Sequence, residues 1–255
     1  MFRLDGKIAI VTGASGGIGR AATMAYAESG ADVAVLDKNA ESLEALSEEV
    51  REKTGRIAFP VQCDVSDELS VKNAIEMSVD RFGKVDILFN NAGIAIRGSV
   101  ETIPLEDWEK VMAVNLRGIF LLSKYVVPYM RKARYGKIIN NSSVDAIRAG
   151  NVESIARHAY NASKSGVQGL TTSMASLYAK DNITVNAIAP GLFETGITSL
   201  FFSSEECLNM YKQKNPSGRY GDINEIKGPI IFLSSDASSY VTGQFICVDG
   251  GYTSM

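Results

Sequence analysis

The sequence predicts an α/β fold, a doubly wound parallel sheet with helices on both faces, three layers in a single domain. Near the start, the apolar run Lys7–Thr12 leads into a glycine-rich turn, Gly13–Gly19, and then into a helical pattern from Arg20 to Ser29. Strand and helix patterns keep alternating without a linker or a low-complexity stretch, which is typical of one parallel sheet. The 255 residues, 45 % of them apolar, suffice for one core, so residues 1–255 are interpreted as one domain.

The later elements follow in order along the chain. The predicted strands are Asp32–Leu36, Arg56–Pro60, Lys84–Phe89, Lys137–Asn141, Ile183–Ala189 and Gln244–Val248. The predicted helices are Ala40–Thr54, Asp67–Phe82, about 104–116, about 118–134, and one that includes Tyr160 and runs to about Lys180. Within Asp67–Phe82 the apolar residues lie on one stripe, as in an amphipathic helix packed on a core: Val71, Ile75, Val79 and Phe82.

The strand, the glycine-rich turn and the helix occur in the order that a dinucleotide-binding site requires. In this interpretation Gly13 forms the tight turn, Gly17 lets a pyrophosphate approach the backbone, and Gly19 lets the helix pack on the strand. The phosphates would lie at the N-terminus of the helix, where unpaired N–H groups point outward. The spacing G-x-x-x-G-x-G is a variant of G-x-G-x-x-G, and a glycine-rich turn without a nucleotide is the alternative.

The second predicted strand runs into Asp37, 18 residues after Gly19. A carboxylate at this place accepts hydrogen bonds from the adenosine ribose and repels a 2′-phosphate. Gly16 stands where an NADP-binding turn would gain from a cation, and only Lys38 argues for NADP. We therefore predict NAD as the cofactor, with an ordinary turn aspartate as the alternative.

Tyr160 and Lys164 are four residues apart on a predicted helix, which places both side chains on one face. A free phenol has a pKa near 10 and is a poor base at neutral pH. A lysine cation held close would stabilise the phenolate and lower that pKa. The pair would then exchange a proton with an alcohol or a ketone. An exposed helical pair with no chemistry is the alternative from the spacing alone.

Composition excludes several classes of function. The formal net charge of −3 gives no reason to expect nucleic acid or an anionic membrane as a partner. No apolar run approaches the roughly 18 residues that span a bilayer, and residues 1–7 lack the apolar stretch of a signal peptide, so we expect a cytoplasmic protein. Cys63, Cys207 and Cys247 lack metal-ligand spacing and are expected to be buried small hydrophobes. The single histidine, His158, excludes a His-based metal cluster, and we predict no metal site.

The motifs T-G-A-S-G-G-I-G, D-V, N-N-A-G, V-N-L, S-S-V, Y-N-A-S-K, A-P-G and V-D-G-G occur in this order along the chain. The series resembles the short-chain dehydrogenase/reductase family, in its branch of shorter single-domain enzymes, and it covers essentially the whole chain. The resemblance implies a Rossmann-type fold. It also implies four groups of cofactor contacts. The pyrophosphate turn would contain Gly13, Ser15, Ile18 and Gly19, and the adenine contact would be made by Asp64 and Val65. The wall beside the adenosine ribose would contain Asn91, Ala92 and Gly93, and the nicotinamide contacts would be Pro190, Gly191, Phe193 and Thr195.

The resemblance also implies the catalytic roles. Tyr160 would be the general acid/base, and Lys164 would lower its pKa and bind the nicotinamide ribose. Ser143 would donate to the reacting oxygen, and Asn115 would hold a water-linked proton path. These roles suit hydride transfer from carbon, because a hydroxyl donor and a proton exchanger must converge on one oxygen.

Two features bear on the substrate. Residues 144–159 are longer than is usual in the family, and they either fold over the substrate or form a solvated bulge. Arg97 and the ending P-I-I-F-L-S-S-D-A-S-S-Y-V-T-G-Q-F-I-C-V-D-G-G resemble gluconate 5-dehydrogenase-like members, and a cation at position 97 would hold a carboxylate. A solvated arginine is the alternative.

The leading hypothesis is an NAD(H)-dependent alcohol dehydrogenase acting on a sugar acid or a polyol. The alternatives are a hydroxysteroid or bile-acid dehydrogenase, a 3-oxoacyl-thioester reductase, and a nucleotide-sensing binding protein without turnover. A variable lid is predicted at about 192–215, where Leu200, Phe201 and Phe202 would cap an apolar substrate or pack in the core or an interface. The apolar stretches Gly118–Met130 and Val167–Ala179 predict, through the resemblance, a homodimer or a homotetramer.

Overall fold

The computed structural model describes residues 2–150 and 153–255, and in these residues seven strands form one sheet. The strands are β1 Ile8–Thr12, β2 Asp32–Asp37, β3 Ala58–Gln62, β4 Ile87–Asn90, β5 Gly136–Asn141, β6 Ile183–Pro190 and β7 Phe245–Val248. They are all parallel and lie in the order β3-β2-β1-β4-β5-β6-β7. The chain therefore reverses its direction of winding between β1 and β4, as a doubly wound sheet does.

Helices cover both faces of the sheet. They are α1 Gly17–Glu28, α2 Ala40–Thr54, α3 Glu68–Phe82, α4 Leu105–Met112, α5 Gly118–Ala133, α6 His158–Tyr178, α7 Ser199–Phe202, α8 Glu205–Lys214 and α9 Lys227–Ser234. Residues of α1, α2 and α9 share one hydrophobic core, and residues of α3, α5 and α6 share the other. The predicted three-layer, doubly wound fold is confirmed.

The strands in the middle of the sheet are buried along all or most of their length, and the edge strands are less buried. Every residue of β1, β5 and β6 is buried, whereas β3 and β7 are partly exposed. The edge position of β3 explains how Pro60 fits in a strand, because proline cannot donate to a central ladder. The predicted start of β3 at Arg56 was two residues early. The Arg56 guanidinium and the Ile57 N–H both bond the carboxylate of Asp32 instead.

The helices predicted at about 104–116 and 118–134 are one continuous helical segment with a π-helical turn, Ala113–Arg117, between α4 and α5. The run Leu105–Ala133 has the length and composition of a membrane span, which corrects the expectation that no stretch approaches one. More than half of its apolar window, 56 %, is buried in the protein. The burial is that of a core helix, because α5 packs on α3, β4 and β5.

The cysteines differ in their surroundings. Cys63 is buried, as predicted, and burial raises the pKa of its thiol to about 11. Cys207 and Cys247 are only half-buried, so the expectation of a buried residue was wrong for these two. The described residues contain no group of three or more His, Cys, Asp or Glu side chains placed to hold a metal ion.

Candidate active site

A cleft of about 510 Å³ opens above the carboxyl ends of the strands, at the point between β1 and β4 where the winding of the chain reverses. It brings together most of the residues that the motifs predicted to bind the cofactor or to catalyse the reaction. These residues are distributed along most of the chain. Those lining the cleft are Gly13, Ser15, Gly17, Ile18, Asp37, Asn91, Ala92, Gly93, Ser143, Tyr160, Lys164, Pro190, Gly191, Phe193 and Thr195. Gly19, Asp64, Val65 and Asn115 are not in its lining.

The glycine-rich turn is held tightly against the loop after β4. Gly13 has a φ of 61°, and the Asn91 side chain donates to its carbonyl and to that of Thr12. A Cβ on Gly19 would come within 2.0 Å of the Gly13 oxygen, so only glycine fits there. No side chain caps the first turn of α1, and that turn contains no acidic residue. Its N–H groups are therefore suited to a pyrophosphate.

Asp37 lies at the end of β2 and faces the turn. Its Oδ2 accepts hydrogen bonds from the Ser15 hydroxyl at 2.6 Å and the Ser15 N–H at 3.2 Å, and its Oδ1 accepts one from the Asn39 N–H. The neighbouring cation, Lys38, forms an ion pair with Asp64 at 2.8 Å. Asp37 thus presents its carboxylate to the cleft, while the Lys38 ammonium is paired with Asp64, which lies outside the cleft lining.

Asp64 and Val65, predicted as the adenine contact, lie outside the cleft lining. Besides pairing with Lys38, Asp64 accepts bonds from the N–H and hydroxyl of Ser66. Val65 is buried and lies 3.1 Å from where a Cβ on Gly118 would stand. These contacts fix the loop after β3 on α5, and an adenine contact for either residue stays a prediction.

Ser143 and Tyr160 lie side by side at the cleft wall. Ser143 follows β5 in an extended conformation and is buried, and Tyr160 lies in the first turn of α6 with 7 % of its surface exposed. Ser142 points elsewhere, because its hydroxyl donates to the Lys164 carbonyl at 2.9 Å. The choice of Ser143 over Ser142 as the donor stays a prediction, and strand alternation is the reason for expecting the two side chains on opposite faces.

The pKa of Tyr160 is raised in this structure, and its lowering by Lys164 stays a prediction. Burial and, to a smaller extent, the charge of Asp145 together raise the pKa of Tyr160 to about 12, while Ser143 and Arg157 oppose this. Lys164 lies with its Nζ 5.6 Å from the centre of the phenol ring and donates to the Asn141 carbonyl at 2.7 Å. Burial lowers the pKa of Lys164 to about 8, so its own charge is costly at this place.

Asn115 lies in the π-helical turn and is fully buried. Its amide makes three bonds: the oxygen accepts from the Ile94 N–H at 2.9 Å, and the nitrogen donates to the Ile94 carbonyl and the Ser163 hydroxyl. The side chain therefore ties the loop after β4 to α6, one residue from Lys164. The predicted role in a proton path stays a prediction. π-helical turns recur at functional sites, but nothing in the sequence pattern indicated this one.

Two segments form the wall beyond Tyr160, and sequence reasoning located them without identifying their contacting residues. Part of 144–159 folds over the cleft, which favours the first of the two predicted alternatives; residues 151 and 152 lie outside the described residues. The other segment is the predicted lid at about 192–215. Asp145 and Arg157 of the first segment line the cleft, and the lining residues to which sequence reasoning gave no role are Ile155, Asn161, Ile197, Cys207, Met210, Tyr211, Lys214 and Tyr252.

The three apolar residues of the lid separate. Phe201 lines the cleft, Phe202 packs edge-on against Tyr220 with ring centres 4.9 Å apart, and Leu200 is 61 % exposed. Arg97 is exposed and does not line the cleft, so the alternative of a solvated arginine holds in this structure. The cations that reach the wall beyond Tyr160 are Arg157 and Lys214.

The chain has close relatives along its whole length. A family profile described as enoyl-(acyl carrier protein) reductase matches residues 13–253. A 3-oxoacyl-(acyl-carrier-protein) reductase of Thermotoga maritima is 41 % identical over 250 residues, which cover 98 % of this chain and 99 % of the relative. The gluconate 5-dehydrogenase of Gluconobacter oxydans is 36 % identical over 256 residues, covering 99 % and 97 %.

Solved structures agree with these relatives. A gluconate 5-dehydrogenase from Burkholderia cenocepacia, crystallised in complex with NADP and tartrate, matches with a TM-score of 0.95 and 37 % identity over 100 % of this chain and 98 % of that one. Fold, motif order and whole-length similarity lead to the same conclusion. The chain belongs to the short-chain dehydrogenase/reductase family.

Proposed function

We propose that the protein is an NAD(H)-dependent oxidoreductase that interconverts a secondary alcohol and a ketone by hydride transfer. The observation that carries this proposal is a single cleft that joins a nucleotide-binding turn to a buried tyrosine. Asp37 is the last residue of β2 and Ser143 follows β5, and β1 and β4 lie between these strands. The cleft therefore spans several strand widths, as a dinucleotide with a substrate at its far end requires.

Asp37 supports NAD over NADP. Its carboxylate accepts three hydrogen bonds from the protein and keeps further lone pairs for ribose hydroxyls. The same negative charge would repel a 2′-phosphate, and the neighbouring Lys38 is already paired with Asp64. NADP is present in the Burkholderia relative, so this chain and that relative are proposed to differ in cofactor preference.

The chemistry follows from the residues at the far end. A bound nicotinamide would supply the hydride chemistry. The Tyr160 phenol would give its proton to the oxygen of the ketone during reduction and accept one from the alcohol during oxidation. The Ser143 hydroxyl would donate to the same oxygen. Lys164, one turn along α6, would contribute a positive charge that favours the phenolate and would bind the nicotinamide ribose.

The proposed substrate is a sugar acid or a polyol. The wall beyond Tyr160 contains side chains that bond hydroxyl and carboxylate groups, namely Asp145, Arg157, Asn161 and Lys214. Phe201 provides a flat apolar surface of the kind that packs against a sugar carbon chain. The gluconate 5-dehydrogenases among the relatives support this substrate class.

Reduction of a 3-oxoacyl thioester is the second candidate function. It is favoured by one observation, the 41 % identity to a 3-oxoacyl-(acyl-carrier-protein) reductase over nearly the whole chain. A thioester substrate would use the same Ser143 and Tyr160 and would differ in the part of the molecule that the lid contacts.

The test is a panel of substrates with purified protein, followed by the absorbance of the reduced cofactor. Gluconate, polyols and bile acids are oxidised with NAD⁺ or NADP⁺, and an acetoacetyl thioester is reduced with NADH or NADPH. We expect NAD⁺-linked oxidation of a polyol or a sugar acid that disappears in Tyr160→Phe. Dominant thioester reduction would favour the second candidate. Tight NAD(H) binding by calorimetry with no turnover on any substrate would favour a binding protein.

We further propose a cytoplasmic homodimer or homotetramer. Phe120 and Tyr129 of α5 and Leu177 of α6 are exposed aromatic or apolar side chains that a partner subunit would cover. The expected apolar face of Val167–Ala179 was only partly correct, because its exposed side is mainly small and polar: Gln168, Gly169, Thr172, Ser173 and Ser176. Light scattering at micromolar concentration should give two or four times the chain mass, and a stable monomer would contradict the proposal.

A further inference from the structure

An ion pair lies beside the phenol of Tyr160 in the segment that follows Ser143. Arg157 Nη2 donates to Asp145 Oδ2 at 2.7 Å, and the two side chains are only 19 % and 20 % exposed. The carbon at the centre of the Arg157 guanidinium lies 5.2 Å from the centre of the Tyr160 ring. Both residues line the cleft.

Asp145 and Arg157 also connect the turn that carries Ser143 to the helix that carries Tyr160. The Asp145 N–H donates to the Ser143 hydroxyl oxygen at 3.1 Å. The Asp145 carbonyl accepts from the Asn161 amide at 2.8 Å, which fixes the turn after β5 on α6. Asp145 thus holds Ser143 through its backbone, while its carboxylate holds the arginine that lies over Tyr160. A shift of this pair would therefore change how the turn that carries Ser143 lies against α6 and the Tyr160 ring.

The pair also sets the local field. A negative charge near a phenol disfavours the phenolate, and a positive charge favours it. Asp145 raises the pKa of Tyr160 and Arg157 lowers it, after the larger effect of burial. Burial raises the pKa of Asp145 itself, and Arg157 opposes this. The two charges therefore act on Tyr160 in opposite directions.

Other titratable groups around the cleft are placed differently. Lys164 is on the same helix as Tyr160 and is bonded to the Asn141 carbonyl. His158 uses its Nδ1 to accept from the Val100 N–H. The remaining groups of the cleft lining are Asp37 after β2, Cys207, Tyr211 and Lys214 of α8, and Tyr252 near the C-terminus. Asp145 and Arg157 differ from these groups, because the charge of Asp145 raises the pKa of Tyr160 and that of Arg157 lowers it.

We propose that Asp145 and Arg157 are positioning residues that hold Ser143 against Tyr160 and, by their opposed charges, set how readily the phenol releases its proton. The inference rests on the proposed function, in which Tyr160 exchanges that proton. It gives residues 144–159 a role in the reaction, beyond forming a wall for the substrate.

The test compares four variants, Asp145→Asn, Arg157→Gln, the double variant and Arg157→Lys. Each is assayed for kcat and KM against pH in the direction of alcohol oxidation. Asp145→Asn should lower the pH midpoint of kcat by about half a unit or more, and Arg157→Gln should raise it by a similar amount. The double variant should return close to the wild-type midpoint, and Arg157→Lys should restore it in part.

A second readout is independent of turnover. In protein labelled with ¹³C at the tyrosine Cζ, the Tyr160 signal is assigned by its absence in Tyr160→Phe and is followed from pH 7 to pH 11. The signal should begin to titrate at lower pH in Asp145→Asn than in the wild type. Arg97→Gln, which removes an exposed arginine outside the cleft, should leave the titration and the kinetics unchanged.

Opposite shifts of the pH midpoint of kcat in the two single variants distinguish this role from a merely structural one. If both single variants lose kcat with no change in the pH midpoint, or change only KM, the inference is overturned. If Tyr160→Phe retains wild-type turnover, the proposed function fails instead, and the ¹³C titration still reports whether the pair acts on the phenol.

Discussion

The two ends of the cleft are built in different ways. The nucleotide end comes from short segments that each follow one strand, and in the first of them glycines shape the backbone and an uncapped helix terminus faces the cleft. The wall beyond Tyr160 comes mainly from two long segments, the described parts of 144–159 and residues 192–215, and is shaped by side chains. A cofactor-binding end is therefore recognisable from a local pattern, whereas the substrate end depends on which distant side chains the fold brings together.

Their electrostatics differ as well. At the nucleotide end the carboxylate of Asp37 is bonded by an N–H and a hydroxyl of Ser15 in a partly buried site. At the other end Tyr160 and Lys164 are buried, and burial shifts the pKa of the phenol up to about 12 and that of the ammonium down to about 8. Changes at the nucleotide end should alter binding, and changes near Tyr160 should alter turnover.

Tyr160→Phe should give the largest effect. Loss of the phenol beside Ser143 should lower kcat by about 10²-fold or more, the scale of general acid/base catalysis, with NAD(H) binding retained. Tyr178→Phe, on the same helix but outside the cleft, is the matched control and should keep full turnover. Steady-state kinetics and calorimetric NAD(H) titration measure the two quantities. Near-normal kcat in Tyr160→Phe would mean that the proton leaves by another route.

Gly19→Ala and Gly16→Ala probe the backbone at the nucleotide end. A Cβ at Gly19 would come within 2.0 Å of the Gly13 oxygen and 2.5 Å of the Asn91 amide nitrogen. A Cβ at Gly16 would have no neighbouring atom within 4 Å among the described residues. Gly19→Ala should therefore lower the free energy of unfolding by about 2–3 kcal/mol, and Gly16→Ala should change it by less than about 0.5 kcal/mol. Urea unfolding of both variants measures this. Equal stabilities would show that the turn relaxes freely.

The same division explains what the sequence could predict. All seven strands and the turn at Gly13–Gly19 follow from local periodicity and glycine spacing, and they were confirmed. The π-helical turn at Asn115 depends on bonds to Ile94 and Ser163, which are distant in sequence. The Asp145–Arg157 pair joins residues 12 positions apart that no regular element brings together, and the raised pKa of Tyr160 depends on burial by the whole fold. No local pattern carries such information.

Lys164→Met should separate stability from function. The pKa of Lys164 in the folded protein, about 8, lies below its ordinary value of 10.5, so the unfolded chain binds more protons between these values. The wild type therefore gains stability as pH rises from 8 to 10.5, and burying the charge at pH 7 costs about 3 kcal/mol.

Lys164→Met removes the cost of burying this charge, but it also loses the hydrogen bond to the Asn141 carbonyl, which offsets about 1–2 kcal/mol. Lys164→Met should thus be more stable than the wild type by about 1–2 kcal/mol at pH 7, with turnover strongly reduced. The difference should shrink at pH 10. Urea unfolding at both pH values measures it, and a variant less stable at pH 7 would show that the ammonium is better solvated than its burial implies.

Asp37→Asn tests the nucleotide end alone and has the smallest expected effect. The amide keeps an acceptor for the Ser15 hydroxyl at 2.6 Å but removes the charge that would repel a 2′-phosphate. The ratio of kcat/KM with NAD(H) to that with NADP(H) should be at least about tenfold in the wild type and should fall by about tenfold, or 1.4 kcal/mol, in the variant. Asp64→Asn, which frees Lys38 from its 2.8 Å ion pair, should move the ratio in the same direction by less. Asp80→Asn, exposed on α3, should not move it. Because none of these residues touches Tyr160, kcat with saturating cofactor should stay constant across all three variants. A change in kcat rather than in cofactor preference would show that the two ends of the cleft are coupled and that the division drawn between them does not hold.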